Sequence, residues 1–96
     1  MMTSSNEILE FLKTYSWELR SKALYKKYLF SNFITAIKFI NEVAKIAEKY
    51  NHHPKLINTY SSVEIYWITN DVGEITQIDI NMAKKCEFLY LNYNFK

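Results

Sequence analysis

Apolar positions recur at helical spacing in three stretches of the chain and alternate in the stretches between them. Ser4-Ser5-Asn6-Glu7 has capping-box spacing, and Ile8, Phe11 and Leu12 follow at helical intervals, which predicts a first helix over about residues 5–15. Residues 16–20 and 23–30 alternate and are split by the polar pair Ser21-Lys22, as in a hairpin. In its second strand Leu24, Lys26, Tyr28 and Phe30 share one face, with Tyr25, Lys27 and Leu29 on the other. Ser31 or Asn32 caps a long helix running to about Tyr50. Phe33, Ala36, Ile37, Ile40, Val43, Ala44 and Ala47 form its apolar stripe; Lys38, Asn41, Glu42, Lys45 and Lys49 lie opposite. Strands are predicted at 57–60 and 63–70, the latter with Val63, Ile65 and Trp67 on one side and Glu64, Tyr66 and Ile68 on the other. A loop over 71–75 carries Gly73, and Thr76 caps a last helix containing Ile78, Ile80, Met82, Ala83, Cys86 and Leu89. The order αββαββα predicts an α+β fold, a four-stranded antiparallel sheet with helices packed on one face.

Composition narrows the class. Ninety-six residues at 49% hydrophobic content are expected to form one domain over 1–96, not a disordered chain. Sixteen aromatics (two Trp, eight Tyr, six Phe) exceed what so small a core readily buries, so some are expected at a subunit interface or ligand pocket. The net charge of +2, with Lys and Glu interspersed, supplies no basic stripe for nucleic acid. No apolar run approaches the ~20 residues that span a bilayer. The start, Met-Met-Thr-Ser-Ser-Asn-Glu, lacks the basic and apolar regions of a signal peptide. One cysteine, Cys86, fits a reducing compartment, and the expected location is cytoplasmic.

The candidate chemistry is concentrated at Glu48-Lys49-Tyr50-Asn51-His52-His53-Pro54. Both histidines of the chain stand here, fixed by its only proline at the end of the long helix. Imidazole both donates and accepts protons near neutral pH. Glu48, one turn upstream, is placed to orient or charge-tune His52. Two histidines with no cysteine or third histidine do not complete a zinc site, so no metal is expected.

These residues carry a resemblance. Phe30-Ser31-Asn32-Phe33 with Ala36, Phe39, Val43-Ala44 and Ala47-Glu48 is followed by Asn51-His52-His53-Pro54, Tyr60, Val63, Thr69, Asp71, Ile75-Thr76 and Asp79-Ile80-Asn81 with Ala83. Over roughly residues 28–84 this pattern resembles the pterin-4a-carbinolamine dehydratases. That family's site pattern is a carboxylate, His-His-Pro, an aromatic, a third histidine and an Asp. Glu48, His52, His53, Pro54, Tyr60 and Asp79 match it, and Asn70 stands where the third histidine belongs. The family's glycine before Ile75-Thr76 is Glu74 here, with Gly73 next door, and Leu56 stands where an aromatic often follows His-His-Pro.

The resemblance implies a hydro-lyase that converts a 4a-hydroxytetrahydropterin to the quinonoid dihydropterin, with the pterin as substrate and no cofactor. One acid must protonate the departing hydroxyl and one base must take a ring N–H proton, each worth ~10²–10⁴ in rate when well placed. The resemblance assigns catalysis to His52, His53, Glu48 and position 70, and substrate binding to Pro54, Tyr60, Thr69, Asp71 and Asp79. His52 is the expected acid–base group on the hydroxyl. Asn70 hydrogen-bonds but does not shuttle a proton, so reduced efficiency is expected. Asp79 also suits the first-turn helix dipole, and Trp67 and Cys86 suit a core.

Cys86-Glu87-Phe88-Leu89-Tyr90-Leu91-Asn92-Tyr93 is apolar nearly all round, which predicts a homodimer or homotetramer through the last helix, as members of the resembled family form. The competing expectation is a non-catalytic pterin-binding or protein dimerisation module on the same fold, which Asn70 favours and the intact Glu48–His52–His53–Pro54 set opposes.

Overall fold

Ser4 closes the first turn of helix α1 (Ser5–Tyr15): its side chain accepts the Glu7 N–H at 3.1 Å. The helix stops where Ser16 turns left-handed, at φ 60°. In this computed structural model, which describes residues 4–92, strands β1 (Glu18–Arg20) and β2 (Ala23–Leu29) follow. Ser21 and Lys22 both have positive φ (52° and 66°), the backbone of a two-residue hairpin turn that matches strand twist. Asn32 caps α2 (Phe33–Lys49) by accepting the Thr35 N–H at 2.8 Å. Strands β3 (Lys55–Thr59) and β4 (Ser62–Trp67) and helix α3 (Gln77–Asn92) complete the order α β β α β β α.

The sheet is antiparallel throughout, in the order β1-β2-β4-β3. Its core face carries Leu24, Tyr28, Val63, Ile65 and Trp67, all at most 2% exposed, beneath the three helices. The expected alternation therefore sets the fold. The boundaries differ: the last predicted strand loses its end, because residues 69–74 curl into a loop closed by Thr69 N–H to Glu74 C=O at 3.2 Å and Gly73 N–H to Thr69 C=O at 2.9 Å. Gly73 takes the left-handed φ of 71° that this turn needs. The stripe of α2 also differs. Phe33 and Ala44 are exposed, while Phe39, absent from the predicted stripe, is fully buried. The helix rolls so that Phe39 packs among Tyr28, Phe30 and Tyr90, with ring centroids 4.9–6.1 Å apart.

Lys26 faces the core and would be costly there alone. Its ammonium donates to Glu87 of α3 and to the Tyr15 carbonyl, both at 2.8 Å, while Glu87 also accepts from Trp17 Nε1 and the Tyr28 hydroxyl. This one buried carboxylate ties α3 to β2 and to the loop after α1. Burial and the neighbouring Cys86 and Glu87 raise the Tyr28 hydroxyl pKa well above its ordinary value. Burial likewise pushes the Cys86 thiol up to about 12, so it is inert at neutral pH. Tyr93 of the predicted apolar run, and Met1–Thr3, lie outside the described residues. No helix among those described is long and apolar enough to cross a membrane.

Candidate active site

The end of α2 sets the geometry. Asn51 takes the left-handed conformation at φ 50°, its N–H returning to the Glu48 carbonyl at 3.3 Å and that of His52 to the Ala47 carbonyl at 3.0 Å. These two bonds are a Schellman motif, with Asn in the position that tolerates positive φ and Pro54 just beyond. Proline then restricts His53 to extended backbone. The two imidazoles diverge as a result.

His52 turns inward. Its Nε2 lies 2.6 Å from Asp79 Oδ1, and its ring stacks on Trp67 at 5.7 Å between centroids and 11° between planes. Asp79 has no exposed surface. Its other oxygen accepts the Thr69 hydroxyl at 2.6 Å and the Thr76 N–H at 2.9 Å, while the Thr69 and Thr76 hydroxyls meet at 2.7 Å. The Thr76 contact is the reciprocal half of a capping box at the start of α3. Asp79 thus closes the helix terminus and orients His52 with one carboxylate. Neither of its oxygens is left for a ligand; it works through His52. With Nε2 bound to the carboxylate, Nδ1 is the ring nitrogen left to meet a reactant.

His53 turns outward. Its Nε2 meets Glu48 Oε2 at 2.6 Å, with side chains 54% and 79% exposed. Glu48 was expected to serve His52 and instead serves His53, because the turn after α2 carries His52 under the helix end and leaves Glu48 on the solvent side. Asn70 is exposed and lines two adjoining recesses. One, of about 230 Å³, is walled by Asn51, His52, His53, Thr69 and Asp71. The other, of about 360 Å³, holds His53, Pro54, Lys55, Tyr66 and Ile68.

Eight of the nine expected site residues therefore gather around the His-His-Pro turn and the recesses beside it. Tyr60 does not. It sits in the β3–β4 turn, 70% exposed, at the far end of a five-residue strand that leads away from Pro54. Trp67 is core, as expected, with no exposed surface, and its ring backs His52. Thr76, Lys55 and Tyr66 were not singled out as site residues. Only Thr76 carried a signal, as the expected cap three residues before the helix carboxylate. A larger groove, about 930 Å³ between α2 and α3, is lined by Lys45, Lys49, Lys84 and Lys85 over an apolar floor and includes neither histidine.

Known proteins share this arrangement of sequence and fold. The profile of the family described as Pterin 4 alpha carbinolamine dehydratase matches residues 1–89. A Prochlorococcus marinus (strain AS9601) protein named "Putative pterin-4-alpha-carbinolamine dehydratase" is 40% identical over 85 residues, covering 88% of this chain and 86% of that protein. The crystal structure of a transcriptional coactivator/pterin dehydratase from Brucella melitensis superimposes with a TM-score of 0.85 at 29% identity, over 93% of this chain and 98% of that one. A pterin dehydratase-like RuBisCO assembly factor of the alpha-carboxysome aligns with a TM-score of 0.63 over 76% of this chain and 84% of its own, at 16% identity, a likeness of fold alone.

Proposed function

Because the chain belongs to the pterin-4-alpha-carbinolamine dehydratase family, we propose that it dehydrates a 4a-hydroxytetrahydropterin to the quinonoid dihydropterin, with His52 as the principal proton carrier. The observation that carries this reading is the buried Asp79–His52 pair, backed by Trp67 and opening on the recess that Asn70 shares. A carboxylate on one ring nitrogen fixes the tautomer and the orientation of an imidazole, which leaves the other nitrogen poised for acid–base work.

Dehydration breaks the C4a–O bond and one ring N–H bond, forms a C=N bond and releases water. In the neutral state His52 Nε2–H donates to Asp79, and Nδ1 takes the ring proton; the imidazolium then returns a proton toward the departing hydroxyl. His53, held by an exposed carboxylate, positions the pterin or relays the second proton. Asn70 holds the hydroxyl or its water by hydrogen bonds and transfers no proton. The proposed reaction needs no metal or redox cofactor, since the ring nitrogen's lone pair expels the hydroxide. Stopped-flow absorbance is expected to show the protein accelerating loss of 4a-hydroxytetrahydropterin over buffer. A rate equal to buffer would shift the function to a non-catalytic pterin-binding or dimerisation role. Asn70 favours that second reading.

The same reading includes assembly through α3 in a soluble cytoplasmic homo-oligomer. Phe88 and Leu91 on that helix are each 61% exposed, apolar surface that a second copy would cover. Size-exclusion chromatography with light scattering is expected to give two or four times the 11.5 kDa chain mass. A clean monomer would sink this part.

A further inference from the structure

The larger recess beside the histidines holds chemistry that dehydration does not use. Lys55 and Tyr66 stand directly opposite each other in the β3–β4 ladder, and Tyr66 points away from the Val63–Ile65–Trp67 core face. The recess therefore opens on the helix-free side of the sheet, with Ser21 and Ile68 completing its wall and His53 and Asn70 shared with the catalytic recess. A bicyclic ring held against His52 and Asn70 would extend whatever it carries at its far end into this space.

The charge inside that space is one-sided. Lys55 lines it and no carboxylate does. The ammonium is seated 5.2 Å from the centroid of the Tyr66 ring and takes part in none of the ion pairs among the described residues. The acids on this side stand outside the recess: Asp71 lines the adjoining one, and the others are committed elsewhere. Glu64 accepts the Tyr25 hydroxyl at 2.7 Å, Glu18 pairs with Arg20 at 2.7 Å, and Glu48 holds His53. An uncompensated cation at the mouth of a ligand recess favours an anion there.

We infer that this recess receives the ring substituent of the pterin and that Lys55 selects a substituent bearing a carboxylate. The inference rests on the pterin reading above. A single ammonium lines the recess, the Arg20 guanidinium beside Tyr66 being paired with Glu18, and it suits one negative charge better than the near-double charge of a phosphate. Because Lys55 is exposed, the selectivity is modest, about three- to fivefold in affinity at low salt, and falls as salt screens it.

Two pterins of nearly equal size separate charge from shape: 6-carboxypterin and 6-hydroxymethylpterin, titrated calorimetrically at pH 7 into the wild type, Lys55→Gln and Lys55→Glu. The wild type is expected to bind the carboxylate about three- to fivefold more tightly. Lys55→Gln abolishes that preference and Lys55→Glu reverses it, while 6-hydroxymethylpterin binds all three proteins within about twofold, which also shows that the variants fold. Equal affinities in the wild type, or a preference that survives Lys55→Gln, would overturn the role of Lys55 and leave the pterin reading standing. Loss of both ligands in Lys55→Gln would make Lys55 a contact to the ring and overturn the selectivity. Failure of both pterins to bind the wild type would remove the pterin reading and this inference with it.

Discussion

Replacing His52 by alanine is expected to lower the enzymatic dehydration rate by about 10²–10⁴, to the level of buffer if catalysis is modest. His53→Ala is expected to lose far less. The difference comes from what holds each ring. His52 is clamped on one edge by a carboxylate with no exposed surface and on one face by Trp67, and only 14% of its side chain is exposed. Such a ring keeps a fixed tautomer and pays little reorganisation when it exchanges a proton. His53 and Glu48 stand largely in water, where an ion pair is weak and mobile. Truncating His52 also leaves Asp79 short of a partner, which costs about 1–3 kcal/mol. Melting curves of both variants must therefore accompany the kinetics, and the loss should persist below the variant's melting range. Equal losses at His52 and His53 would mean that the buried pair is a structural strut and that proton transfer is shared.

Much of this architecture was legible in the amino-acid pattern. Period-2 and period-3.6 stretches gave the order of elements and the core face of β4, because those periods follow from backbone geometry. The His-His-Pro turn announced itself through the proline. What the pattern could not give was direction after the turn. Asn51 at positive φ swings His52 under the end of α2 toward α3, 27 residues ahead, and a carboxylate one helical turn upstream then looks like its partner when it is not. The partner, Asp79, read equally well as a helix-dipole residue; its carboxylate closes the α3 terminus and holds His52, with no oxygen left to bind substrate as expected. Tyr60 shows the opposite failure. A correct spacing in sequence said nothing about which end of the β3–β4 hairpin it would occupy. Phe39 was missed because helical periodicity locates a stripe only to within a residue or so of rotation, and three neighbouring aromatic rings settled the rest.

Asn70→His is expected to raise the dehydration rate by about 10²-fold, mainly in kcat. Asn70 is exposed, makes none of the hydrogen bonds that hold the Asp79 cluster, and lines both recesses beside His52 and His53. An imidazole there meets the ligand without displacing Asp79, Thr69 or Thr76, so the fold should tolerate it. It would supply a second proton carrier from the loop after β4, opposite the one at the end of α2. One imidazole could then protonate the hydroxyl while the other takes the ring proton, and neither would have to change state between the two transfers. A gain in kcat with KM little changed would fit that division of labour, because the added group acts on the reacting hydroxyl and not on the body of the pterin. Combining Asn70→His with His52→Ala tests it further. If the new imidazole merely substitutes for His52, the double variant keeps most of the gain; if the two carry different protons, the gain disappears with His52. A rate that stays at the wild-type level in Asn70→His would show that hydrogen bonding at position 70 already suffices for this chain, and that its chemistry runs on the His52–Asp79 pair alone.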